Sequence, residues 1–229
     1  MKPKPQANES PVPKVPHYGH DLSAEEIRDL VGDSPFIIEV GCNDGRDTKR
    51  FLDVMPQSHV VCFECEPRAL SHFLCRGNPR VTLIELAISH KTQNLTFYRS
   101  GGIPDCTDKN EPWFQSGSCA KPTGHFRRSP EITFPETLEV QARPLDYYWD
   151  EYQPPIDLLW VDAQGFEPRV ILGGYHTLMQ TRYAYFEQYE VEQYERGANL
   201  RTLWCMLPDF DLVGLYGGEE NALFKNRSL

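Results

Sequence analysis

Three acidic residues each close a run of apolar ones. Glu64 ends His59-Val60-Val61-Cys62-Phe63-Glu64, Asp162 follows the apolar run 156–161, and Glu187 ends Tyr183-Ala184-Tyr185-Phe186-Glu187. A carboxylate at the end of an apolar strand is costly unless solvated or paired. In an open parallel sheet, ligands bind beyond the carboxyl ends of the strands. One such acid reads most simply as a loop start or a helix cap; three at one edge read as a site for binding and proton transfer. A fourth acid, Glu39, sits inside Phe36-Ile37-Ile38-Glu39-Val40, directly before Gly41-Cys42-Asn43-Asp44-Gly45. Gly41 lets the chain turn at the strand end, and Gly45 is expected to let backbone approach a ligand closely. The helix that follows aims its N-terminal amides at the same place.

The elements that would carry these residues alternate. A capping box, Ser23-Ala24-Glu25-Glu26, opens a helix running to about Val31. Strands are expected at Phe36–Val40, His59–Glu64, Val81–Ile88, Asn94–Tyr98, Val140–Arg143, Ile156–Val161, Tyr183–Glu187, and about Asp211–Tyr216 and Ala222–Asn226. Helices are expected over Asp47–Met55, Pro67–Cys75, from about Leu145, and from Glu167 to about Gln180. Strand, helix, strand, helix, strand in so short a stretch predicts an α/β fold, a mostly parallel sheet with helices on both faces. Residues 1–20 read as a disordered or loosely docked tail, and 21–229 as one domain. From Arg99 to about Pro135 the pattern collapses into Gly, Pro, Ser and Cys, which reads as an inserted loop at about 99–136 with a functional role.

The 229 residues are 40% hydrophobic, enough for a sizeable core, and the formal charge of -10 disfavours a phosphate-polymer partner. No apolar run approaches the roughly 20 residues needed for a membrane span. The first 16 residues lack the apolar centre of a secretory signal, so a cytoplasmic location is expected. Cys62 and Cys65 make a C-x-x-C without the second pair a zinc site needs. Cys62, Cys75 and Cys205 read as small buried hydrophobes. Cys106 and Cys119 are placed to bridge a loop, with the reduced state preferred. Nothing in the sequence specifies an oligomeric state.

Glu64 follows Gly45 by 19 positions, the distance at which such folds set an acid against ribose hydroxyls. A dinucleotide fingerprint would require glycine at position 43, which is Asn43. The pattern E-x-G-x-x-x-G suits a ligand without a pyrophosphate and puts Glu39 within reach of an ammonium group. S-adenosyl-L-methionine has that ammonium, a ribose and an adenine, with S-adenosyl-L-homocysteine as its product.

The segments F-I-I-E-V-G-C-N-D-G, V-V-C-F-E-C-E-P and I-D-L-L-W-V-D-A-Q-G-F-E-P-R-V-I-L-G-G resemble the FkbM-type methyltransferases, over about Phe36 to Asn226. The resemblance implies the class I methyltransferase (Rossmann-like) fold and O-methylation of sugars and related hydroxylated products. It maps Glu39, Gly41, Asn43, Gly45, Glu64 and Asp162 onto the cofactor pocket and Ala87 and Ile88 onto the region flanking adenine. Glu39 stands where the family has Asp, and Gln164 where it has Glu, which removes a carboxylate beside the reaction centre.

The expected activity is O-methylation of a hydroxyl on a saccharide or glycoconjugate. Alternatives are a lipid, polyketide or protein acceptor, or a cofactor-binding module without turnover. Methyl transfer is an in-line displacement that depends on near-attack geometry, and a protonated hydroxyl benefits from a general base. Asp162 is the first choice for that base, because its strand ends nearest the expected methyl position, and Glu187 is the second. Glu167 is expected on the following helix, its charge favouring the N-terminus. Trp113, Phe114, Ser116, Ser118, His125 and Gln164 are the candidate acceptor contacts; aromatic rings pack on sugar faces while polar groups take hydroxyls. For His125 a solvated loop position is preferred over a base carried by a lid. Glu187, Glu190 and Glu192 read as a solvated face rather than a metal shell with Asp162, so no metal is expected.

Overall fold

The computed structural model describes residues 12–102, 113–148, 155–218 and 220–229. The reading made for Cys106 lies outside these. Along the chain run α1 (Ala24–Val31), β1 (Phe36–Val40), α2 (Arg46–Val54), β2 (His59–Glu64), α3 (Pro67–Ser71), β3 (Val81–Glu85), β4 (Ala87–Ile88) and β5 (Gln93–Gly102). There follow α4 (His125–Arg128), β6 (Ile132–Arg143), β7 (Ile156–Val161), α5 (Glu167–Gly173), α6 (Tyr175–Met179), β8 (Thr181–Glu187), α7 (Leu200–Met206), β9 (Phe210–Tyr216) and β10 (Asn221–Asn226).

Among the described residues, seven strands form one sheet in the order β3-β2-β1-β7-β8-β10-β9. β1 lies between β2 and β7, parallel to both, with Glu39 opposite Cys62 on one side and Trp160 on the other. Only β10, antiparallel to β8 and β9, departs from the parallel direction. The order reverses between β1 and β7, so the tips of β1, β2, β7 and β8 share one edge, as the class I methyltransferase fold requires. Strands buried on both faces explain the near-continuous apolar runs. One face packs Ile38, Val40, Val161 and Phe186 against α5 and α7 residues such as Val170 and Leu203. The other packs Ile37, Trp160 and Tyr185 against Phe51 and Leu52 of α2. Trp160 stacks on Tyr185 at 3.9 Å between ring centroids.

α1 begins with the expected capping box: Glu26 N–H donates to Ser23 Oγ at 3.2 Å, and Ser23 N–H to Glu26 Oε2 at 2.9 Å. Residues 16–20 run along β9, where Leu215 N–H donates to the Pro16 carbonyl and Tyr18 N–H to the Leu215 carbonyl.

Five boundaries differ from the sequence reading, the first being α3, which ends at Ser71 rather than Cys75. The run Val81–Ile88 is two strands, because β3 ends at Glu85 and the chain crosses at Leu86 to a second sheet of order β4-β6-β5. The inserted loop is shorter than 99–136, since β5 extends to Gly102 and β6 begins at Ile132, the two pairing antiparallel over most of their length. Their exposed, polar alternation obscured the pairing. The helix from about Leu145 is one 3-10 turn, Leu145–Tyr147. The stretch 167–180 is two helices broken at Gly174, the second capped by Asp146, whose Oδ1 accepts the Thr177 N–H at 2.8 Å. α7 carried no signal strong enough to be read, and Cys205 on it is exposed rather than buried.

Candidate active site

A cavity of about 250 Å³ opens at the tips of β1, β2 and β7. Its walls include Glu39, Gly41, Asn43, Glu64, Ala87, Ile88 and Asp162, so seven of the eight residues expected to hold the cofactor share one space. Gly41 adopts φ +84°, and a Cβ there would lie 1.8 Å from the Asp162 carbonyl oxygen. The glycine is thus demanded by the close approach of β1 and β7 as well as by the turn. Gly45 is the exception. It has φ +80°, and a Cβ would meet the Phe73 ring at 2.6 Å, so it makes room for a core aromatic and does not line the cavity.

The turn is tied to the second strand. Glu64 Oε2 accepts the Asn43 N–H at 2.9 Å, while Oε1 accepts the amides of Cys65 (2.6 Å) and Glu66 (2.7 Å). Asn43 is held at φ 49°, a conformation uncommon outside glycine. Burial pushes the Glu64 carboxyl upward, against the pull of those three amides. Glu39 is buried beside Thr48, whose hydroxyl donates to its Oε2 at 2.5 Å. Burial raises Glu39 well above the usual carboxylate range, Cys62 and Asp47 adding to the effect.

Asp162 and Glu187 meet at the neighbouring strand tips. Gln164 Nε2 donates to Asp162 Oδ1 and to Glu187 Oε2, both at 2.7 Å. The Tyr194 hydroxyl lies 3.0 Å from Gln164 Oε1 and 2.9 Å from the Ser116 carbonyl, its single proton between two acceptors. Tyr189 reaches Gln164 Oε1 at 3.5 Å. Gln164 has φ 51°, a second left-handed residue at the site. Burial first, then the charge of Asp162, raises Glu187 well above the ordinary carboxylate range. Glu167 opens the first turn of α5, as expected. It is fully buried, its Oε1 accepts the amides of Ala163 (3.0 Å) and Gly165 (3.2 Å), and burial pushes it up to about 8.

A second cavity, about 300 Å³, lies on the far side of this network and shares Asp162, Gln164 and Gln115 with the first. Of the six candidate acceptor contacts, Trp113, Ser116, His125 and Gln164 line it. Phe114 and Ser118 face the first cavity instead, and Ser118 donates to the Gln164 carbonyl at 2.7 Å. His125 is not a solvated loop histidine. It is packed edge-on against Phe134 and Tyr194, and burial holds it below the usual imidazole value. The sequence reading missed Gln115, which borders both cavities, and Tyr189 and Tyr194, which reach the Gln164 amide oxygen from a loop. It also missed Glu66, which is buried in ion pairs with Arg68 and Arg99. Only Glu66, adjacent to the second strand tip, had a signal in the chain. Among the described residues, no group of three or more His, Cys, Asp and Glu side chains is arranged to hold a metal.

The sheet order and the cavity at its switch point define a Rossmann-like methyltransferase. Comparison with known proteins carries this further. The family model described as "Methyltransferase FkbM domain" matches residues 39–213. The chain is 38% identical over 202 residues to 2-O-methyltransferase NoeI of Sinorhizobium fredii, covering 85% of this chain and 81% of that protein. This protein therefore belongs to the FkbM methyltransferase family and is an S-adenosylmethionine-dependent methyltransferase. Among solved structures, Aeropyrum pernix fibrillarin with bound S-adenosyl-L-methionine matches at 12% identity and TM-score 0.46, over 89% of this chain and 74% of that one. The plantazolicin methyltransferase BpumL with S-adenosylhomocysteine matches at 11% and 0.46, over 90% and 83%.

Proposed function

We propose that this protein methylates a hydroxyl group on a saccharide or glycoconjugate. The observation that supports it best is the pair of cavities meeting at Asp162 and Gln164. One is suited to the methyl donor and the other to an acceptor. The residues present suit S-adenosylmethionine. Glu39 is a buried carboxylate with a hydroxyl rather than a cation as its nearest partner, which matches an ammonium group. Glu64 closes the strand where ribose hydroxyls are met, and Ala87, Ile88 and Phe97 supply an apolar wall for a flat base. When bound, that cofactor supplies a methyl group on a sulfonium.

The rest belongs to the chain's own side chains. Asp162 borders both cavities and serves as the base that takes the hydroxyl proton, with Glu187 second to it. Gln164 donates to both carboxylates and fixes their spacing. Trp113 offers a ring face, its indole N–H donating to Ser116 Oγ at 2.8 Å. Six free thiols among the described residues suit a reducing compartment, which supports the cytoplasm as the place of reaction.

The test is Asp162→Asn. S-adenosylhomocysteine binding, measured by calorimetry, should stay within a few-fold of wild type, and turnover on a glycan panel with labelled cofactor should fall about 10²–10⁴-fold. Unchanged turnover would sink the base assignment.

A further inference from the structure

The second cavity does not end at the acceptor hydroxyl. It shares Arg128, Tyr189, Gln193 and Glu220 with a third cavity of about 660 Å³, more than twice its own size. The two cavities therefore adjoin along a shared wall that includes the Arg128–Glu220 ion pair. Two unspent polar atoms belong to the lining of the second cavity. Gln193 Oε1 and His125 Nδ1 are buried without a hydrogen-bond partner, on side chains only 6% and 9% exposed, and both side chains line the second cavity. Leaving a buried acceptor unpaired costs about 1–3 kcal/mol.

The third cavity has a mixed wall. Amides of Gln188, Gln193 and Asn199 stand beside Val191 and Leu200, with Arg127 on the rim. A hydrocarbon tail would call for continuous apolar lining, whereas sugar units present hydroxyl edges and C–H faces in alternation. The groove is held open by tertiary contacts. Thr123 and Gly124 both donate their amides to the Gln193 carbonyl, joining the two loops that form its sides.

We propose that the acceptor is a saccharide chain of two or more units, whose methylated unit occupies the second cavity while the next lies in the third. This rests on the saccharide reading above and narrows it.

The experiment compares methyl glycosides of single sugars with tri- and tetrasaccharides ending in the same sugars, using labelled S-adenosylmethionine. The longer acceptors should have kcat/KM at least about tenfold higher, mostly through KM. Val191, 61% exposed on its loop, can be enlarged without disturbing the core. Val191→Trp should fill the groove and bring the oligosaccharide-to-monosaccharide ratio toward one, and Arg127→Ala should lower it in the same direction. S-adenosylhomocysteine affinity serves as the check that both variants are folded. Equal kcat/KM for single and multiple units, or a ratio untouched in both variants, overturns the extended groove and leaves the saccharide reading standing. Cofactor binding with no saccharide methylated overturns that reading, and this inference with it.

Discussion

Gln164 carries two hydrogens on one nitrogen, and the site uses both, one for Asp162 and one for Glu187. The related family pattern has Glu at this position. A carboxylate there would add a further acid beside Asp162 and Glu187 and would be relieved by gaining a proton or a cation, since like charges repel. The amide removes that need, and its carbonyl oxygen faces the tyrosine hydroxyls, which can only donate to it. Gln164→Glu should therefore lower stability by about 1–3 kcal/mol at pH 8. The loss should shrink at pH 5, where the new carboxyl is protonated and donates again. Denaturant unfolding at the two pH values measures this; an equal loss at both would show that charge is not the cause.

At the level of elements, the strand tips place the chemistry and the helices hold the strands. Phe51 of α2 is fully buried and meets the Trp160 ring edge-on at 5.4 Å, behind the strand that ends in Asp162. Phe51→Ala should cost about 3–5 kcal/mol, visible as a lower unfolding midpoint, and a loss under 1 kcal/mol would mean that α2 packs more loosely than its contacts imply. The parallel strands were legible because burial on both faces requires apolar runs with turn residues at each end. The β5–β6 pair was not, because one exposed face leaves polar residues throughout and only the partner strand reveals the pairing. The 167–180 break was also hidden. Gly173 lies where a Cβ would approach the Ser89 carbonyl oxygen to 2.0 Å, a contact between distant segments.

Across the whole molecule, five buried or half-buried carboxyls with raised proton affinity, Glu39, Asp47, Glu64, Glu167 and Glu187, gather at one edge of the sheet. The sign of their effect on stability follows from linkage. Unfolded, Glu167 loses its proton near the ordinary value of 4.5; folded, it keeps it to about 8. Between those values the folded state holds more protons, so stability should fall as pH rises through the window and change little from this group above it. Glu167→Gln should flatten that slope in unfolding measured from pH 5 to 8. A slope as steep as in wild type would assign it to the other four.

Strand tips, the glycine turn and the identities of Asp162, Glu187 and Glu64 were readable along the chain, because local periodicity and turn chemistry are properties of neighbours in sequence. That Gly45 serves Phe73, that Phe114 faces the donor side, and that Tyr189, Tyr194 and Gln115 complete the site became visible only in the folded molecule. Each depends on two segments far apart in sequence being pressed to within a few ångströms, and no spacing along one segment encodes the position of the other.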